Sequence, residues 1–253
     1  MELNKNTIII TGGTSGIGLA FAKELLKRGN KVIVIGRNQE TIDKITKDNK
    51  ELVGLQGDVS NADSVRSMAA FIHEHYPEAN ILINSAGIMR SFHMLEENAD
   101  LEQATSEVET NLKGTIWMTR ALLPLFSKQR EAMIVTVSSG LSYITSPTQP
   151  VYSATKAGVH MFTDALRIQL KKSNKNIHVM ELVPPLVAET NLEPDIQKGG
   201  PNMSLKTLVK HGIKGMEKNK KRVVPGFSKF FRFAGKYFPD FLPNLMAKEM
   251  NKP

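Results

Sequence analysis

The sequence predicts an α/β protein built on a single doubly wound parallel sheet with helices on both faces. Three observations carry this expectation. Short β-branched runs alternate with longer amphipathic stretches, the pattern of repeated strand–helix–strand units. The strands read as continuous Ile/Val runs, as strands covered on both faces do. The first run enters a helix through a glycine-rich turn. Right-handed crossovers then wind the sheet outward from its centre in both directions.

The first strand, Thr7–Ile10, leads into Thr11-Gly12-Gly13-Thr14-Ser15-Gly16-Ile17-Gly18 and the amphipathic stretch Leu19–Arg28. In a strand–turn–helix unit of this kind Gly12 permits a tight turn. Gly16 lets the backbone approach a pyrophosphate, and Gly18 lets the helix pack closely on the strand. The helix N-terminus offers free N–H groups and a partial positive charge to phosphates. The second strand, Lys31–Ile35, ends at Gly36-Arg37-Asn38. A fold that selects NAD usually carries an acidic residue here for the ribose 2′-hydroxyl. This sequence has Gly36 instead, followed by Arg37, whose guanidinium can grip a 2′-phosphate bidentately. Ser15 can add a hydroxyl contact. NADP(H) is therefore the expected cofactor and NAD the less favoured one; the alternative is that Arg37 is a solvated charge ahead of a helix.

The third strand, Leu52–Gln56, is followed by Asp58-Val59 and the helical stretch Asp63–His75, which Asp58, Ser60 or Asn61 can cap. The fourth, Ile81–Asn84, runs into Ser85-Ala86-Gly87. A long helical pattern includes Asn111, an unfavourable mid-helix residue that asks for a reason. The fifth strand, Met133–Ser138, places Ser138-Ser139-Gly140 at its C-terminal end, the edge where parallel sheets bind ligands. The helix Ser153–Lys172 follows Tyr152, and Tyr152 and Lys156 are i and i+4 on one helix face. An ammonium so placed favours phenolate and lowers the tyrosine pKa from about 10, giving a general acid or base near neutrality. Most isolated Tyr-x-x-x-Lys pairs are surface neighbours; the serines at the preceding strand end distinguish this one. The sixth strand, His178–Val183, exits through Pro184-Pro185-Leu186-Val187-Ala188-Glu189-Thr190 as an extended segment. The stretch Glu193–Pro201 reads as a mobile loop within one domain spanning 1–253.

Taken in order over residues 6 to 190, these motifs resemble the short-chain dehydrogenase/reductase family, of Rossmann fold. The Thr-Gly-x-x-x-Gly-x-Gly turn, Asp58, Asn84–Gly87, Asn111, Ser139, Tyr152 and Lys156 carry the resemblance. Ser139 stands 13 residues before Tyr152, the family's usual interval, and Ser138 is one residue off it. The chain is especially similar to the bacterial oxidoreductases associated with the D-alanylation operon, which share Pro-Pro at 184–185. The resemblance implies hydride transfer between NADP(H) and a carbonyl or alcohol substrate. It makes Ser139 the group that holds the carbonyl oxygen and Tyr152 the proton donor. Lys156 lowers the tyrosine pKa and grips the nicotinamide ribose. Asn111 holds a water joined to Lys156. It gives Gly12, Thr14, Ser15, Gly16, Ile17 and Gly18 to the pyrophosphate turn, Asp58 and Val59 to the adenine, and Asn84, Ala86 and Gly87 to the cofactor's side. Pro184 and Val187 take the carboxamide end. Thr190 lies one residue late for the family's threonine contact, and Ser85 replaces an asparagine. Dimers or tetramers through helices near 101–128 and 152–172 are also implied, as are substrate contacts in loops 88–98, 141–150 and 189–205.

Composition narrows the rest. The chain has no cysteine, which excludes disulfides, thiolate chemistry and zinc–cysteine sites and fits a reducing compartment. No run is long and apolar enough for a signal peptide or membrane span, so a cytoplasmic protein is expected. The six histidines show no metal-ligand spacing, and no metal is expected. The net charge of +8 is local: residues 201–253 hold 12 Lys/Arg against 3 Asp/Glu, and residues 1–200 hold 21 against 22. That argues against a nucleic-acid surface. Lys206, Lys210, Lys214 and Lys218 form a stripe at helical spacing, Lys220–Gly226 reads as a basic loop with a short last strand, and six of the eleven phenylalanines follow. Three readings stand for this segment: aromatics packed as core or dimer contact with solvated lysines, a wall or lid of an apolar substrate pocket, or peripheral contact with an anionic membrane. The rival to an enzyme is a catalytically silent dinucleotide-binding sensor or scaffold, which would be free to lose Tyr152 or Lys156.

Overall fold

Among the described residues, seven strands pair side by side in the order β3-β2-β1-β4-β5-β6-β7, all parallel. They are β1 (Thr7–Thr11), β2 (Lys31–Gly36), β3 (Leu52–Gln56), β4 (Ile81–Asn84), β5 (Ala132–Val137), β6 (Ile177–Leu182) and β7 (Arg222–Val223). The helices are α1 (Gly16–Lys27), α2 (Gln39–Asp48), α3 (Ala62–His75), α4 (Leu101–Glu107), α5 (Gly114–Phe126), α6 (Pro150–Lys172), α7 (Leu205–Glu217), α8 (Ser228–Tyr237) and α9 (Phe241–Ala247). The computed structural model describes residues 1–95, 100–173, 175–190, 192 and 202–247. The loop expected at 193–201 lies outside them. The six long strands agree with the expected runs to within one residue at each end, and β7 is the short last strand.

Alternation along each strand sends successive side chains to opposite faces. Ile8, Ile10, Val32 and Val34 meet Phe21 and Leu25 of α1 and Leu208, Val209, Ile213 and Met216 of α7. Ile9, Ile33 and Ile35 belong to the other core, with Val65 and Ile72 of α3, Met118 and Leu122 of α5, and Leu166 of α6. Each such side chain, fully buried, contributes roughly 1.5–3 kcal/mol. The sheet is thus covered on both faces, as its Ile/Val runs require.

Local chemistry sets the helix boundaries. Asn38 accepts from Thr41 N at 2.7 Å and Asn61 from Ser64 N at 2.9 Å, capping α2 and α3. Between α4 and α5 the chain stays helical but widens into a π-helical segment over Val108–Lys113, which contains Asn111. The asparagine that suits a regular helix poorly thus sits where the helix widens. On α7 the lysine stripe faces solvent while Leu208, Val209, Gly212, Ile213 and Met216 are buried. The C-terminal phenylalanines do not form core: Phe227, Phe230, Phe233, Phe238 and Phe241 are exposed and Phe231 is half-buried. Spacing alone could not reveal this, because α8 packs on the protein through its small residues.

Candidate active site

The strand order changes direction between β1 and β4, and the C-terminal strand ends open there into a cavity of about 390 Å³. Its floor is the glycine turn. Gly12 and Gly16 have φ of +63° and +50°, which L side chains rarely adopt. A Cβ on Gly18 would lie 2.3 Å from the Gly12 carbonyl oxygen, so only glycine lets α1 start this close to the strand. The Thr11 hydroxyl accepts from Ser85 N at 3.1 Å and Ala86 N at 3.2 Å, tying the ends of β1 and β4 together.

The residues available for a dinucleotide fit one. Ser15 is exposed and its side chain makes no cap bond, and the first turn of α1 contains no acidic residue. An anion approaching this N-terminus therefore meets N–H groups and a free hydroxyl. At the end of β2, Gly36 packs against Thr14, whose Cγ2 would lie 2.5 Å from an added Cβ. An acidic side chain has no place at 36, and Arg37 beside it is exposed. Asp58 accepts from Ser60 N at 2.9 Å and Ser60 Oγ at 2.6 Å, a local turn that leaves the adenine role open. The Val59 side chain is buried against Gly114, leaving only its backbone for a ligand.

Around the cavity stand Gly12, Ser15, Gly16, Ile17, Gly18, Gly87, Ser139, Tyr152, Lys156, Pro184, Val187 and Thr190, all expected from sequence. Thr190 packs over Gly16, its Cγ2 3.7 Å from where a Cβ would be, and donates to Val187 O at 3.1 Å. The Asn84 side chain is not among these groups. It is buried and donates to Thr119 Oγ1 at 3.0 Å, so it braces β4 against α5 instead of facing a cofactor.

The serine alternatives separate cleanly. Ser138 is buried and its hydroxyl donates to Glu181 Oε1 at 2.6 Å. Ser139 is only partly buried, its hydroxyl accepts from Leu141 N at 3.2 Å, and it stands near enough to Tyr152 to pull the phenol's pKa down. The Lys156 ammonium donates to Val137 O at 3.0 Å and lies 5.5 Å from the Tyr152 ring centre. Asn111 stands behind the cavity, accepting from Ile88 N at 2.8 Å and donating to Ile88 O at 2.9 Å and Thr155 Oγ1 at 3.2 Å. Thr115 Oγ1 donates to its backbone carbonyl at 2.8 Å. Asn111 thus pins the π-helical segment to both α6 and the strand exit beside Gly87.

One expectation is reversed. The pair was to lower the tyrosine pKa, but burial pushes Tyr152 up to about 12, with Ser139 pulling down and Glu107 pushing up. Burial also pushes Lys156 down to about 8, against Glu107. Desolvation prevails, and the Lys156 ammonium is held by the Val137 carbonyl rather than by the phenol. Glu107 is a functional candidate that sequence reasoning missed. It is fully buried and accepts from Arg90 N at 3.0 Å. Its place one helical turn before Asn111 was the available signal. Met89, Ser146 and Gln149, from the loops 88–98 and 141–150 expected to meet substrate, also border the cavity, as do Phe231 and Met246 of the C-terminal segment.

Residues 6–200 match the short chain dehydrogenase family. The chain is 31% identical over 226 residues to the uncharacterized oxidoreductase DltE of Bacillus subtilis, covering 88% of this chain and 89% of that protein. It is 34% identical over 188 residues to an uncharacterized oxidoreductase of Staphylococcus haemolyticus, covering 74% and 80%. In fold it resembles a short chain dehydrogenase of Burkholderia cenocepacia solved with NADP, at TM-score 0.82 and 22% identity over the whole of both chains. It likewise resembles a short-chain dehydrogenase/reductase of Burkholderia phymatum solved with NAD, at TM-score 0.81 and 19% identity over 93% and 95%. The matched span runs from the glycine turn through the cavity's Tyr152 and Lys156 to the exit of β6, and the chain is an oxidoreductase of the short-chain dehydrogenase family.

Proposed function

We propose that this protein is an NADP(H)-dependent reductase of a ketone or aldehyde, with Ser139, Tyr152, Lys156 and Asn111 as its catalytic set. The observation that carries the reading is that Ser139, Tyr152 and Lys156 line the same cavity as the glycine turn. Bound NADPH would supply the hydride. Ser139 donates to the carbonyl oxygen and holds it beside the phenol. Tyr152, neutral because its pKa stands at about 12, gives its proton to that oxygen as negative charge develops. Lys156 binds the ribose and, while protonated, stabilises the phenolate left behind. Asn111 keeps the lysine's surroundings fixed through Thr155 and Ile88 and holds the water that returns the proton from solvent. Glu107 offsets part of the desolvation of Lys156.

NADP(H) over NAD(H) is supported by Gly36 packed on Thr14, by the exposed Arg37 and by the uncommitted Ser15 hydroxyl. Asp58, the Val59 backbone, Ala86, Gly87, Pro184, Val187 and Thr190 would complete the nucleotide site. A cytoplasmic setting is supported by the absence of cysteine, and no helix among the described residues is long and apolar enough to cross a membrane. A homodimer or homotetramer is supported by Met161 and Ile168, exposed on α6, and Leu101, exposed on α4. A fluorescence titration with NADPH and with NADH tests the reading. At least tenfold tighter NADPH is expected. Binding with no turnover across a carbonyl panel would point to the silent sensor or scaffold, and no binding of either nucleotide would sink the proposal.

A further inference from the structure

The C-terminal helix α8 divides its circumference into three stripes. Ser228, Phe231, Ala234 and Gly235 form the packed one: Ser228 and Ala234 are buried. Gly235 lies so close to the turn after β5 that a Cβ would be 2.0 Å from the Tyr143 carbonyl oxygen. Phe230, Phe233 and Tyr237 form the second stripe, with 46%, 56% and 56% of their surfaces exposed. Lys229, Arg232 and Lys236 form the third and are exposed. At about 100° per residue, the aromatic stripe lies between the packed and the basic ones. Phe238, Phe241 and Leu245, all exposed, carry the apolar surface on to α9.

We propose that α8 and α9 dock the protein on an anionic lipid bilayer. The rings of Phe230, Phe233 and Tyr237 enter the boundary between headgroups and acyl chains, and Lys229, Arg232 and Lys236 face the lipid phosphates. Aromatic residues bordered by basic ones suit that boundary, where one side is apolar and the other negatively charged. Charge selects the occupant. A second copy docking symmetrically through this face would set the same three cations against their counterparts. The apolar positions suited to a second copy, Met161 and Ile168, lie on α6 instead. The excess positive charge of the whole C-terminal segment adds to the attraction of an anionic surface. The same helices also reach inward, since Phe227, Phe231 and Met246 border the cavity, so a docked protein holds that wall beside the lipid. The inference does not depend on the reaction proposed above.

The test is co-sedimentation of the full chain with vesicles of mixed phosphatidylglycerol and phosphatidylcholine, and with phosphatidylcholine alone, at low and high salt. Anionic vesicles are expected to bind at least tenfold more protein at low salt and to release it at high salt. The combined F230S/F233S/Y237S variant and, separately, K229E/K236E are each expected to lose that binding tenfold. Both alter exposed side chains, and thermal melting checks that each remains folded; should the triple variant unfold, the charge variant carries the test. Absence of binding to anionic vesicles at low salt, or undiminished binding by K229E/K236E, would overturn the proposal. So would wild-type self-association in analytical ultracentrifugation that the triple variant abolishes, because the surface would then belong to a second copy.

Discussion

Tyr152 and Lys156 are brought together by one helical turn, but burial sets their protonation. A phenol at about 12 stays neutral through the physiological range, and an ammonium at about 8 is half deprotonated just above it. The site therefore holds its tyrosine ready as an acid and uses the lysine as the group that titrates. Tyr152→Phe removes the proton donor without changing the shape of the site. Reduction is expected to slow by about 10²–10⁴-fold, while NADPH affinity by fluorescence stays within about twofold. The pH profile follows from the sign of the lysine shift. Its folded pKa is lowered, so the charged form that stabilises the phenolate is lost as pH rises through about 8. The rate of carbonyl reduction should fall by about tenfold per pH unit above that value. Lys156→Arg should remove this limb, because a guanidinium stays charged. The pairing was legible in the sequence from the i, i+4 spacing and the upstream serines. The direction of the tyrosine shift was not, because it depends on tertiary burial and on Glu107.

The strands were the most legible elements, since an Ile/Val run covered on both faces leaves little choice of register. Less legible were α2, where only Ile42 and Ile45 are buried, and α8, whose packed face depends on small residues. Glu181 looks like an interruption in the apolar run of β6, and the structure gives it a purpose. Its fully buried carboxylate takes the Ser138 hydroxyl just after β5, His160 Nδ1 of α6 at 2.9 Å and the Arg222 guanidinium of β7. Arg222 also holds Asp164 of α6 at 2.7 Å. These contacts fasten β7 and α6 to the end of β5, two residues before Ser139. Arg222→Met leaves the buried carboxylate short of its cation and should destabilise the fold by about 3–5 kcal/mol in urea unfolding. Against its depressing partners, burial works to raise the Glu181 pKa, but the net shift is downward, with His160, Ser138 and Arg222 prevailing. A carboxylate with a depressed folded pKa stabilises above its unfolded value of about 4.3 and loses that contribution as pH falls through the folded one. The acid limb of wild-type stability should therefore steepen below about pH 4, and Arg222→Met should flatten it.

At the scale of the molecule, the proposed nucleotide groove crosses the point where strand order reverses, so one ligand would touch the ends of β1, β2, β4, β5 and β6. The sequence announces this edge through its glycine turn, Arg37 and the Ser139–Tyr152 interval. It does not announce where the C-terminal aromatics sit, because exposure is decided by how α8 lies on the turn after β5. A ligand that binds only the folded state raises stability by RT ln(1 + [L]/Kd), which is about 2.7 kcal/mol at a hundredfold excess over Kd. For a chain of this length that corresponds to a rise of about 5–10 °C in the unfolding midpoint. NADPH should produce that shift in a calorimetric or dye-based melt, and NADH at the same concentration a clearly smaller one. Loss of a charge-assisted pair with the 2′-phosphate costs about 1.5–3 kcal/mol, so Arg37→Ala should bring the NADPH shift down to that of NADH and leave the NADH shift unchanged. If Arg37→Ala left both shifts as they were, the guanidinium would be a solvated charge and cofactor choice would lie in Thr14, Ser15 and Gly36.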